Sequence, residues 1–200
     1  MQLLVASGNE HKVAEIRELL QDSGWEVLSL KDFPGLQLPE ETAPDFVGNA
    51  ALKAEAGVLA TGLWTLADDS GLAVDYLQGA PGVYSARYAG EQKDDAANNR
   101  KLLSAMQDCP TAERKARFIC ALVLAGPEGQ RYETEGRCEG MIGYAERGTH
   151  GFGYDPLFFV QAYEDCTMAE LDMATKNRIS HRAAALSEML PVLQRLAVLS

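Results

Sequence analysis

The chain has 200 residues, 46% of them hydrophobic and 24% charged, with a formal net charge of −11. That length and apolar fraction supply a full core for one domain and argue against bulk disorder. The acidic balance, with a pI near 4.7, argues against a nucleic-acid polymer as partner, since such binding rests on many Lys and Arg contacts to phosphate. A small anionic ligand needs only a few well-placed cations.

Met1–Ser7 lack the basic start and long apolar region of a signal peptide. No run approaches the ~18 apolar residues of a spanning helix. The four cysteines, Cys109, Cys120, Cys138 and Cys166, are dispersed without a CxxC pair, which speaks against a disulfide framework or a zinc site. The expectation is one domain over residues 1–200, cytoplasmic, with free thiols and no membrane contact.

In chain order, Leu3–Ala6 reads as a short strand that turns through Ser7-Gly8-Asn9. Val13, Ile16, Leu19 and Leu20 recur at helical spacing, with Gly24 as the stop. A second helix is expected from its N-cap Asp45 to Gly62. Leu63–Ala67 reads as a strand that ends in a turn, Asp68-Asp69-Ser70-Gly71, and Leu72–Asp75 as another short strand. Gly79-Ala80-Pro81-Gly82 is a turn, and Asp94–Met106 a polar helix. Arg117–Ala125 and the stretch from Gln130 to Cys138 form a hairpin across Gly126-Pro127-Glu128-Gly129. Gly148–Tyr154 is a glycine-rich loop, Leu157–Val160 a short apolar strand. One helix, from about Asn177 to Leu199, would be bent or restarted at Pro191. Alternating strands and helices followed by a hairpin indicate an α/β fold with a mixed sheet.

Four clusters carry candidate chemistry. Ser7-Gly8-Asn9-Glu10-His11-Lys12 is either an ordinary N-cap or a small phosphate cradle, in which helix-start N–H groups and the Lys12 charge meet an anion. Asp68 and Asp69 at a strand end, with Glu40 and Glu41 in a polar loop, offer the oxygen ligands that Mg²⁺ takes. Solvated turns are the plain alternative. Phe152-Gly153-Tyr154-Asp155 is either a turn with core aromatics or a flat face on which a base stacks. Lys176, His181 and Arg182 gather cations about a helix start, where cations are disfavoured unless a ligand justifies them.

These stretches resemble a known family. Ser7-x-Asn9-x-x-Lys12, Phe46-x-x-Asn49-Ala50-x-x-Lys53-Ala54, Ala67-Asp68-Asp69-Ser70-Gly71-Leu72, Gly79-Ala80-Pro81-Gly82-Val83-Tyr84-Ser85-Ala86-Arg87, Gly151-Phe152-Gly153-Tyr154-Asp155-Pro156 and Ser180-His181-Arg182 are similar to successive motifs of pyrophosphatases for non-standard purine nucleoside triphosphates. Those enzymes act on inosine, deoxyinosine and xanthosine triphosphates. The match runs in order from Leu3 to about Leu196. It implies an α/β fold with an elongated mixed sheet flanked by helices, two lobes with the active cleft between them, a homodimer, and Mg²⁺ as cofactor. The implied reaction is NTP + H₂O → NMP + pyrophosphate.

By the same resemblance, Ser7, Gly8, Asn9, Glu10, His11 and Lys12 hold the triphosphate, with Lys53, Ser70 and Lys176 nearby. Asp69 acts as general base and shares the metal with Glu40, preferred, or Glu41. Phe152, Gly153, Tyr154, Asp155, His181 and Arg182 surround the purine, the last two donating to its 6-oxygen. Two other functions stay open: a nucleotide-binding module without hydrolysis, and a pyrophosphatase for pyrimidine or modified nucleotides.

Overall fold

The computed structural model describes residues 1–21, 23–163 and 165–198. The elements are β1 (Gln2–Val5), α1 (Glu10–Leu19), β2 (Glu26–Ser29), α2 (Phe46–Thr61), β3 (Trp64–Val74), α3 (Asp95–Ala105), β4 (Lys115–Ala125), β5 (Arg131–Ile142), β6 (Phe158–Val160), α4 (Met173–Ile179) and α5 (His181–Val198). Among the described residues the strands form one sheet in the order β2-β1-β3-β4-β5-β6. β1 runs parallel to β2 and β3, and β6 antiparallel to β5. The sheet is therefore mixed and the fold α/β, as the sequence indicates.

Packing groups the residues into two compact units. One comprises Met1–Asp69, Cys120–Gly136 and the segment from Arg182; the other comprises Ser70–Ile119 and Arg137–His181. In the first, Leu3, Val5, Ile16, Leu66, Leu122 and Leu193 make a buried core. Ala50, Ala54, Ala67 and Val123 form a second, small-residue cluster that brings α2 close to the strands. Gly57 sits at that approach, where a Cβ would come within 2.5 Å of Thr65. Asp45 caps α2 by accepting from the Gly48 N–H at 2.7 Å, and Gly62 ends the helix at φ 68°. In the second unit, Leu72, Leu102, Phe118, Phe158 and Leu171 are buried together. The Arg114 guanidinium lies beneath them, donating to the carbonyls of Met106, Ile142 and Gly143 at 2.7–2.9 Å.

Four local expectations are corrected. Asp68-Asp69-Ser70-Gly71 is not a turn: β3 runs unbroken from Trp64 to Val74, because the polar residues find buried partners. β2 is an additional strand, half-exposed and without strong alternation. α1 ends at Leu19, well short of Gly24. The C-terminal helix is two helices, separated at Ser180, whose ψ of 157° is extended. α5 continues through Pro191; Leu199 lies outside the described residues.

Candidate active site

The first unit builds a charged cluster on β3. In a strand, successive side chains point to opposite faces, and Asp68 and Asp69 do so. Asp68 is fully buried and accepts from Lys12 Nζ of α1, from Arg182 Nε at 2.9 Å and from the Cys120 thiol at 3.0 Å. Arg182 also pairs with Glu15 of α1. Asp69 meets α2, accepting from Asn49 Nδ2 at 3.1 Å and lying 3.5 Å from Lys53 Nζ. Lys53 Nζ further donates to Glu41 Oε1 at 2.7 Å and to the Asp68 carbonyl at 2.8 Å.

The electrostatics differ across the strand. Burial disfavours ionised Asp68, but Arg182 and Lys12 outweigh it and hold the carboxyl well below the usual carboxylate range. Burial raises the Asp69 carboxyl, and Lys53 and Lys12 only partly pull it back. Burial also opposes the Lys53 charge, yet Asp69 and Glu41 more than restore it. Asp68 is thus a fixed anion, and Asp69 a carboxylate with raised proton affinity, suited to accept a proton.

The start of α1 closes on itself. Asn9 Oδ1 accepts from the His11 and Lys12 N–H groups at 3.0 and 3.3 Å, and the Asn9 N–H donates to Ser7 Oγ at 3.2 Å. Two donors expected for phosphate therefore serve the cap. Glu10 pairs with Lys31 at the surface, and His11 is exposed. Ser7 and Gly8 instead line a cavity of about 250 Å³ together with Arg17, Ser29 and Lys31. Glu40 is exposed while Glu41 is half-buried on Lys53; the geometry favours Glu41, against the sequence preference for Glu40.

The second unit builds a different cluster. Asp155 is buried and accepts from the Phe152 N–H at 3.0 Å and from Lys176 Nζ at 2.9 Å. The Lys176 ammonium lies 4.6 Å from the centre of the Phe152 ring. Gly151, at φ 81°, leaves room for this, since a Cβ there would come within 2.1 Å of the Asp155 carboxylate. Gly153 donates its N–H to Asp95 at 2.7 Å. The His181 ring stacks on Phe118, centroids 4.9 Å apart and planes 16° apart.

Three further expected residues fall as follows. Lys176 lies with Phe152 and Asp155 in the second unit. Tyr154 is a core residue, its hydroxyl donating to the Ser85 carbonyl at 2.8 Å, so it offers no stacking face. Arg182 is fully buried and engaged by Asp68 and Glu15. Ser70 lies half-buried in β3. Sequence reasoning missed Asp68 as a cluster centre, along with Glu15 and Cys120. Glu15 lies three residues after Lys12 on one helix face, which was the available signal.

Fold and site define an α/β protein in which lysines from two helices enclose adjacent strand carboxylates. The chain belongs to the Ham1 family, whose sequence profile matches residues 3–192. It is similar to the dITP/XTP pyrophosphatase of Desulforamulus reducens, 51% identical over 99% of this chain and 98% of that one. The enzyme of that name from Bacillus subtilis is 47% identical, over 96% of this chain and 97% of the other. Among solved structures, a HAM1 protein from Coxiella burnetii is 40% identical with a TM-score of 0.89, covering 98% of this chain and 99% of its own.

Proposed function

We propose that this chain hydrolyses inosine, deoxyinosine and xanthosine triphosphates to the monophosphate and pyrophosphate, removing them from the nucleotide pool. The observation that carries the reading is the Asp69–Lys53–Glu41 group on β3 and α2, in a chain about half identical over nearly its full length to proteins named dITP/XTP pyrophosphatase. Asp69 takes the proton of a water whose oxygen attacks the α phosphorus. The bond from that phosphorus to the bridging oxygen breaks, and pyrophosphate leaves. Lys53 and Lys12 stand against the charge of the departing group. An ammonium has three N–H donors, so Lys12, its side chain 14% exposed, keeps donors for phosphate beside Asp68.

The residues present fit Mg²⁺. The Asp69 and Glu41 carboxylates converge on one cationic point, the Lys53 ammonium, and Mg²⁺ is commonly bound through one or two carboxylates with phosphate and water. Among the described residues no third Asp, Glu, His or Cys completes an all-protein cage. Asp69 and Glu41 would hold the ion, and the chemistry it supplies when bound is phosphate charge neutralisation and a more acidic water. The base end is assigned to Phe152, Lys176 and His181. His181 donates to the purine 6-oxygen, where adenine carries an amino group, and Lys176 is held for the ligand by Asp155.

A homodimer in the cytoplasm belongs to the same proposal; light scattering on the purified chain tests the dimer. Among the described residues no helix is long and apolar enough to cross a membrane. The deciding experiment is a nucleotide panel with and without Mg²⁺, scoring pyrophosphate apart from orthophosphate. Pyrophosphate release from the three named substrates, abolished by chelation, is the expected result. Orthophosphate release, binding without turnover, or a pyrimidine preference would each overturn the reading.

A further inference from the structure

We propose that Asp68 is a positioning residue for the phosphate-facing lysines, held in place by the buried Arg182–Glu15 pair; the inference rests on the function proposed above. Three observations carry it. The Asp68 side chain is fully buried, so it touches no solute, yet it takes Lys12 Nζ, Arg182 Nε and the Cys120 thiol at once. Its backbone carbonyl takes Lys53 Nζ at 2.8 Å. One residue therefore ties a lysine from α1 on one face of β3 and a lysine from α2 on the other.

The charges explain why a carboxylate is required there. Lys12, Lys53 and Arg182 are cations; Glu15, Glu41, Asp68 and Asp69 are anions. Without Asp68, the Lys12 ammonium loses the carboxylate it pairs with, and Arg182 loses one of the two carboxylates it bridges. A lysine stem is long and flexible, with many rotamers open to it, so a Lys12 without Asp68 would spread over many positions. Asp68 confines it to one, and the Arg182 guanidinium, bridging Asp68 and Glu15, confines Asp68.

The test is a double-mutant cycle of Asp68→Asn and Lys12→Met, with kcat and KM for inosine triphosphate measured on all four proteins and Tm measured alongside. Asp68→Asn keeps the shape and an acceptor for Arg182 while removing the charge that holds Lys12. If Asp68 acts through Lys12, Asp68→Asn lowers kcat/KM at least about tenfold in the wild type and less than about twofold in the Lys12→Met background. Equal losses in both backgrounds overturn the proposal, because a merely structural residue damages both alike. Should Asp68→Asn fail to fold, Asp68→Glu retains the charge one methylene away and runs the same cycle with the same two outcomes. The wild type separates the two claims. If it releases pyrophosphate and the cycle is additive, positioning fails alone. If it releases none, the proposed function fails, and the cycle is read instead in the Kd for pyrophosphate by calorimetry, where non-additivity supports positioning and additivity overturns it.

Discussion

Two neighbouring carboxylates on β3 have opposite chemistry because their surroundings differ, and each makes its own prediction. Asp69 is raised by burial, accepts from the Asn49 amide and lies 3.5 Å from the Lys53 ammonium. Asp69→Asn keeps the shape and removes the basicity, so kcat for inosine triphosphate should fall by ~10²–10⁴-fold, as when an acid–base group is lost. A folded variant with near-normal kcat would remove Asp69 from the reaction. Arg182 provides the counterpart. A lysine there cannot span both Asp68 and Glu15, since its ammonium is a point rather than a fork. Arg182→Lys should cost ~3–5 kcal/mol of stability, the scale of a broken buried pair. The ratio of kcat/KM for inosine over adenosine triphosphate should stay within about twofold. A ratio that collapses while Tm holds would return Arg182 to the base.

At the scale of elements, the legible parts are those whose signals are local. Asp45 and Gly62 bound α2, and Asp94 caps α3, because caps satisfy helix ends with side chains written in the chain. The middle of β3 was not legible. Two acids, a serine and a glycine read as a turn; partners distant in sequence, among them Lys12, Arg182, Cys120, Asn49 and Lys53, make a buried strand of them. Non-local partners likewise fix Tyr154 on Ser85, Arg182 on Asp68 and Glu15, and Lys176 on Asp155. The acidic pair itself is contiguous in the chain and could be singled out there; the partners that each acid meets could not. α2 yields a prediction at this scale. Gly57→Ala places a methyl 2.5 Å from Thr65 Cγ2 and 3.2 Å from Leu4. Overpacking of ~1–3 kcal/mol should outweigh the gain in helix propensity, which is at most ~1 kcal/mol. Tm should fall by a few degrees in calorimetry, and an unchanged or higher Tm would show that α2 yields freely.

Across the whole molecule, the cysteines report how completely each unit buries its interior. Cys120 belongs to the first unit; Cys109, Cys138 and Cys166 belong to the second. All are free, and all but Cys166 are buried. Reactivity needs both access and thiolate, and the structure removes both at three of the four. Burial pushes the Cys109 thiol up and the Cys138 thiol to about 11. At Cys120 burial is reinforced by the Asp68 charge, which repels a thiolate. A chromogenic disulfide reagent at pH 8 should therefore find about one fast thiol per native chain, and Cys166→Ser should abolish that phase. In denaturant, without reductant, all four thiols should react, since none is paired. Three or more fast thiols in the native protein would mean that the interiors open readily, and fewer than four on denaturation would mean a disulfide. Either result would contradict the packing that holds Asp68 and its partners away from water.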